Sequence, residues 1–342
     1  MSGSPLRVAE GPTDIRNLTV IGVDGYRVGG GVRPGRAAAS FARVLSEGIT
    51  AAAAGTWTVG DQTINRMGFG SMRLTANPDP AVAIRVLRRA VELGVDHIDT
   101  AAFYCSPGGV LGVGDGPPVR YATELIRRAF TPYPRGLLIA TKVGPGVLPG
   151  GERGAAVTPR QLRYQVEENL RRLGVERLDL VNLRIVRKPG HDSVAERFGA
   201  LAAMRDEGLI RHLGLSNVRL DHVDEASAIA PVVCVQNSYA LDLRRDDELV
   251  RACAERGIAF VPFFAIAGAG REGGSATADD GAVHEVAAAH RATPQQIRLA
   301  WTLHQGSNVL AIPGTGSEAH LIENIAAGAL RLTPDELATL GR

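Results

Sequence analysis

Asp99, Tyr104 and Lys142 are the residues of this 342-residue chain whose types and positions point to proton transfer. In "HIDTAAFYCSPGG", His97 to Gly109, a carboxylate and a phenol stand five residues apart where a short apolar run gives way to glycine. In "IATKVG" an ammonium, Lys142, directly follows an apolar run, where it is costly to bury without an anionic partner. Asp99, one run earlier, is that partner. An unperturbed phenol titrates at about 10, and a neighbouring ammonium favours the phenolate, bringing the group toward the range useful for donating a proton near neutrality. The trio reads as a general acid and its support.

Such a trio needs a scaffold that brings separate runs to one face. Eight apolar runs read as strands: "MGFGS", "DHIDT", "LLIATK", "LDLVNL", "IRHLGLS", "VVCVQN", "IAFVPFF" and "VLAIPG". Amphipathic stretches such as "AVAIRVLRRAVELG", "QLRYQVEENLRRLG" and "DDELVRACAERG" fill the gaps, giving strand then helix repeated. Three helix starts share one design: Thr158-Pro159 before Gln161, Thr293-Pro294 before Gln296, and Thr333-Pro334 before Glu336. Each puts a hydroxyl at the N-cap, proline at the first helical position and a capping-box partner three residues on. Eight such units predict an α/β fold, a (β/α)8 TIM barrel. The competing open doubly wound sheet would usually carry a glycine fingerprint after its first strand, and "GFGSMRL" is not one.

In these barrels chemistry sits at the C-terminal strand ends. Asp99 closes the second run, Lys142 the third, Arg184 the fourth, Ser216-Asn217 the fifth and Gln236-Asn237 the sixth. Singly, each has an ordinary explanation: a helix cap, a solvated lysine, the start of a turn. Five polar strand ends on one face favour a site.

The totals narrow the partners. A net charge of +2 on 38 basic and 36 acidic residues gives no electrostatic case for nucleic acid or an anionic membrane, so a small molecule is expected. Cys105, Cys234 and Cys253 are odd in number and lack metal-knuckle spacing, which fits a reduced compartment. No apolar run approaches a membrane span and the N-terminus does not read as a secretion signal, so a cytoplasmic location is expected. No histidine or carboxylate pair has ligand spacing, so no metal is expected. Oligomeric state is not readable.

Residues 1–55 hold ten glycines and nine alanines without strand or helix periodicity, and are expected to be a low-complexity extension ahead of a barrel over 56–342. "GGVLGVGDGPP", after Tyr104, is expected to be a mobile loop over the site or a plain surface insertion. His97 is expected to be a satisfied core histidine, and His191, after the fourth strand, a helix-entry residue. "IPGTGSEAHLIEN" follows the eighth run, where a glycine-containing turn entering a helix presents free backbone N–H groups to an anion.

Taken together, these motifs resemble the aldo-keto reductases from about Gly55 to the C-terminus. The resemblance implies reduction of a small-molecule carbonyl with NADP(H), NAD(H) being the less favoured coenzyme. It implies Asp99, Tyr104 and Lys142 as three of four catalytic residues, and "LSNV" and "VQNSY" would place Ser216, Asn217 and Gln236 around the nicotinamide amide. It also implies that Phe263 in "VPFF" stacks on the nicotinamide and that Gly70, Ser71 and Met72 border the coenzyme. Gly314, Thr315, Gly316, Ser317, His320, Glu323 and Asn324 would hold its phosphates and adenosine.

One position departs from the pattern. Where most of the family keeps a histidine, this chain has Arg184, a fixed positive charge with a planar fork of donors. Two readings follow: Arg184 selects a substrate with an anionic or strongly accepting oxygen beside the carbonyl, or the protein binds nicotinamide as a catalytically silent regulatory subunit. The intact Asp99, Tyr104 and Lys142 favour the first. "HIDTAAFY", "DLVNLRI", "GLSNV", "VCVQNSY" and "FVPFF" are similar to the subgroup containing bacterial pyridoxal reductases, which carries arginine at this strand end. That implies a pyridoxal-like substrate, with a specialised biosynthetic aldehyde or ketone as the alternative.

Overall fold

A computed structural model describes residues 48–107, 119–185, 192–266 and 281–341. Residues 1–47, residues 108–118 of the glycine-rich loop and His191 lie outside the described residues. Among the described residues thirteen strands run in chain order: β1 Thr56–Val59, β2 Gln62–Asn65, β3 Phe69–Gly70, β4 His97–Asp99, β5 Cys105–Ser106, β6 Arg120–Tyr121, β7 Leu138–Val143, β8 Pro145–Val147, β9 Arg153–Ala155, β10 Leu178–Arg184, β11 Ile210–Ser216, β12 Val232–Gln236 and β13 Ala259–Phe260.

Seven of them form one parallel sheet in the order β3-β4-β7-β10-β11-β12-β13. The eighth expected run closes it: Val309 bridges Phe260 and Ala311 bridges Met67, both parallel. Hydrogen bonds from Leu310 N to Phe260 O and from Gly68 N to Ala311 O, at 2.9 and 2.8 Å, complete the circuit. This is the expected (β/α)8 barrel.

The helices are α1 Pro80–Glu92, α2 Ala122–Ala129, α3 Pro159–Leu173, α4 Ala195–Asp206, α5 Leu220–Ser227, α6 Asp247–Glu255, α7 Gly281–Ala289, α8 Pro294–His304, α9 Glu318–Ala327 and α10 Pro334–Leu340. The three Thr-Pro starts form capping boxes at α3, α8 and α10. Such a cap contributes about 1 kcal/mol, and α3 ends on Gly174 in the left-handed conformation at φ 69°.

Two apolar layers hold the barrel. The larger lies between strands and helices and includes Ile98, Val181, Leu213, Leu215 and Val235 from the sheet. Ile49, Ala51 and Ala54, ahead of the first strand, belong to it as well. The smaller fills the barrel interior with Leu138, Ala140, Leu180, Ala259, Val261 and Leu310, and with Val59 and Ile64 from the β1–β2 hairpin. That hairpin stoppers the lower end, where Asp61 in its turn accepts hydrogen bonds from Arg211 and His212 at 2.6 and 2.7 Å.

Strand alternation carries the interior from apolar to polar as it rises. On β7 the inward series is Leu138, Ala140, Lys142; on β10 it is Leu180, Asn182, Arg184. His97 shares the inward side of Asp99, two residues on, and its ring rests over Gly68. The reading of His97 as satisfied is corrected: it is buried, but neither ring nitrogen has a hydrogen-bond partner among the described residues.

Candidate active site

The upper end of the barrel gathers the polar strand ends. Lys142 Nζ donates to Asp99 Oδ1 at 2.5 Å and to the Thr100 carbonyl at 3.1 Å, with both charged side chains buried. Gln236 Nε2 donates to the other carboxylate oxygen at 2.7 Å, so Asp99 is gripped from β7 and from β12. Burial alone would pull the ammonium of Lys142 down, but the Asp99 charge and Tyr104 outweigh it and hold it above the ordinary lysine value.

Tyr104 sits in the turn after β4, fixed by its own N–H to the Ala101 carbonyl and by its carbonyl accepting from Ala122 N. Lys142 Nζ lies 4.9 Å from its ring centre, and Phe103 packs edge-on at 5.1 Å. Burial pushes the phenol above its ordinary value, against the pull of Lys142 and a weaker one from Arg184. This corrects the expectation of a lowered tyrosine: desolvation outweighs the lysine. The phenol keeps its proton across the neutral range, the state a proton donor needs.

Arg184 closes β10 and is half-buried. Its Nη1 donates to Ser216 Oγ at 2.9 Å, and its guanidinium carbon lies 4.8 Å from the centre of the Phe263 ring. Among the described residues no carboxylate pairs with it. Phe263 and Phe264 stand edge to face at 5.1 Å, Phe264 at φ 65°. Asn217 also takes the left-handed region, at φ 61°, where asparagine is better tolerated than most residues. Its Nδ2 donates to the Ile185 carbonyl at 2.9 Å.

Beside this cluster lies a cradle made from β3 and the segment after the eighth run. Gly70 pairs with Asp99 across β3 and β4, and Ser71 N donates to the Asp99 carbonyl at 2.9 Å. A Cβ on Gly314 would collide with the Gly70 carbonyl, and one on Gly70 would lie 2.6 Å from the Ile312 carbonyl, so both must be glycine. Met72 opens the 3-10 turn Met72–Thr75 that follows. Thr315 Oγ1 accepts from Ser317 N at 3.0 Å, and Ser317 caps α9 by accepting from His320 N at 3.5 Å. Gly316 and His320 are exposed, Asn324 is buried and Glu323 is half-buried, its carboxyl raised by burial against the pull of His320.

Three features fit a nicotinamide dinucleotide. Gln236 Oε1 and Ser71 Oγ are buried without a partner, as an acceptor and a hydroxyl awaiting a polar ligand would be. The start of α9, reached from Gly314 where it packs on the Gly70 backbone, carries N–H groups and a positive helix end suited to a phosphate. Among the described residues no group of three or more His, Cys, Asp or Glu is placed to hold a metal ion, and no helix is long and apolar enough to cross a membrane.

The profile of the Aldo/keto reductase family matches residues 66–342. The chain belongs to that family. As an aldo/keto reductase it is an NAD(P)H-dependent oxidoreductase. It is 42% identical over 296 residues to the pyridoxine 4-dehydrogenase of Escherichia coli, covering 83% of this chain and 96% of that protein. An uncharacterized oxidoreductase of Schizosaccharomyces pombe is 37% identical over 305 residues, 86% of this chain and 92% of that one. Among solved structures, an aldo-keto reductase from Klebsiella pneumoniae in complex with NADPH is 25% identical, covers 83% of this chain and 93% of its own, and superposes with a TM-score of 0.67.

Sequence reasoning missed the side chains behind the site of this reductase. Gln165 and Asn169 on α3 are buried and hydrogen-bond the end of β7, and Asn182 lies buried beneath Arg184 with its amide unpartnered. Their helical and strand periodicity gave their facing, but an amide on a buried face carries no further signal.

Proposed function

We propose that this aldo/keto reductase uses NADP(H) to reduce a pyridoxal-like aldehyde, with Tyr104 as the proton donor. The observation that carries the reading is the pairing of a buried, protonated phenol beside Lys142 with a guanidinium, Arg184, that has no carboxylate partner among the described residues. Gln236 Oε1, Ser71, Met72, Ser216, Asn217 and Phe263 would border the nicotinamide, and Gly70 and Gly314 to Asn324 the phosphates and adenosine. The coenzyme supplies the hydride.

The protein's residues handle charge and position. Arg184 offers its fork to the ring oxygen ortho to the aldehyde, an oxygen that ionises readily in pyridoxal, and so fixes the carbonyl toward Tyr104. Tyr104 passes its proton to the carbonyl oxygen as negative charge develops there, leaving a phenolate that Lys142 stabilises. Asp99 holds Lys142 charged and aimed, and a proton from solvent restores the phenol. The sum is aldehyde, NADPH and a proton giving alcohol and NADP+. The match to a pyridoxine 4-dehydrogenase over most of both chains supports this substrate class.

The test is NADPH oxidation followed by absorbance with pyridoxal and a panel of simple aldehydes and ketones, for the wild type and Tyr104→Phe. Pyridoxal-dependent turnover that vanishes in the phenylalanine variant is the expected result. Turnover only with other carbonyls would overturn the substrate class, and NADPH binding with no turnover at all would overturn the enzyme in favour of a silent nicotinamide-binding subunit.

A further inference from the structure

The loop end of β7 is held by two amides from helix α3. Gln165 Oε1 accepts from Gly144 N at 2.8 Å while its Nε2 donates to the Gly144 carbonyl at 3.2 Å. One side chain thus grips both backbone groups of a residue, supplying the partner of its N–H and a second donor to its carbonyl, which also accepts from Ala156 N at 2.6 Å. One helical turn on, Asn169 Oδ1 accepts from Thr141 Oγ1 at 2.6 Å, and its Nδ2 returns to the Gln165 carbonyl at 2.8 Å. The two contacts bracket Lys142, and both amides are buried.

Gly144 carries this grip to a second strand. It stands at φ 121°, a region that favours glycine, and a Cβ there would collide with the Arg184 carbonyl. The backbone clasped by Gln165 is therefore packed directly on the backbone of Arg184.

We infer that Gln165, supported by Asn169, is a positioning residue that sets Lys142 against Tyr104 and Arg184 against the substrate. It touches neither substrate nor coenzyme and acts through Gly144. The inference rests on the proposed roles of Tyr104 and Lys142. It requires that a small shift of β7 weaken the chemical step far more than coenzyme binding, whose proposed phosphate and adenosine contacts at residues 314–324 lie off β7.

The experiment compares wild type, Gln165→Met and Tyr104→Phe for kcat, KM, NADPH affinity by fluorescence, melting temperature and the pH dependence of alcohol oxidation. Oxidation needs the phenolate, so its rate rises with pH through the tyrosine titration, and moving Lys142 away shifts that rise to higher pH. For Gln165→Met the expected result is a fall in kcat of about tenfold, an alkaline shift of the rise and NADPH affinity within twofold of wild type. An unshifted pH profile, or a loss of kcat matched by loss of NADPH affinity, overturns the inference. If Gln165→Met does not fold, Gln165→Asn, which keeps the amide but falls one methylene short of Gly144, is read by the same criteria. Turnover that survives Tyr104→Phe would instead overturn the catalytic reading itself, which separates the two failures.

Discussion

Arg184 lies against the face of Phe263, its guanidinium carbon 4.8 Å from the ring centre, with Ser216 as its hydrogen-bond partner. An aromatic face and a hydroxyl satisfy the guanidinium only partly, and its remaining donors are available to a ligand. A charge-assisted hydrogen bond is worth about 1.5 to 3 kcal/mol, on the order of tenfold to a hundredfold in affinity. Arg184→His should therefore lower kcat/KM for pyridoxal by about that much and leave pyridine-4-carbaldehyde, which lacks the ortho oxygen, nearly unchanged. Equal losses on the two aldehydes would remove the selecting role from Arg184.

Asp99 and Lys142 form a buried pair, and removing one partner strands the other charge. Asp99→Asn should cost about 3 to 5 kcal/mol of stability, measured by denaturant unfolding. The double variant Asp99→Asn, Lys142→Met should recover much of that stability while staying inactive. A single variant as stable as wild type would mean that the pair is solvated.

The tip of the β1–β2 hairpin supplies a pH dependence with a defined sign. Hydrogen bonds from Arg211 and then His212 hold the Asp61 carboxyl down at about 2 from an ordinary value of 3.8. A depressed carboxyl contributes stability that is complete above its unfolded value and is lost as pH falls through the folded one. The melting temperature of wild type should exceed that of Asp61→Asn above about pH 4 and converge with it toward pH 2. A difference that persists at the acid end would place its origin elsewhere.

Coenzyme preference rests on a thin set of groups. On the proposed function Thr315, Ser317 and His320 would surround the 2′-phosphate, and Glu318, at the first turn of α9, lies 3.9 Å from Arg85. His320→Ala should weaken NADPH binding by about fivefold, the worth of one hydrogen bond of about 1 kcal/mol, with NADH unaffected. Equal weakening of both coenzymes in a fluorescence titration would place His320 away from the phosphate.

The strands of the barrel were legible because apolar runs alternate with amphipathic stretches, three of which open on local signals, the Thr158, Thr293 and Thr333 capping boxes. The polar strand ends were legible for the same reason: alternation places Lys142 and Arg184 on the inward side once the strand is known. The β1–β2 hairpin was passed over although "TWTVGDQTIN" carries its signal, a two-residue Gly60-Asp61 turn between alternating runs. Tyr104 was misjudged because spacing names its neighbours but not the balance between a nearby charge and burial. The grip of Gln165 on Gly144 joins residues 21 apart through a left-handed glycine, a relation that no local pattern encodes.

The hairpin that stoppers the lower end of the barrel makes the interior a cul-de-sac. On the proposed function, coenzyme, aldehyde, alcohol and the replacement proton would all pass the rim formed by the C-terminal strand ends, two-way traffic through one doorway. Departure of the spent coenzyme therefore has to precede arrival of the next at that same open end.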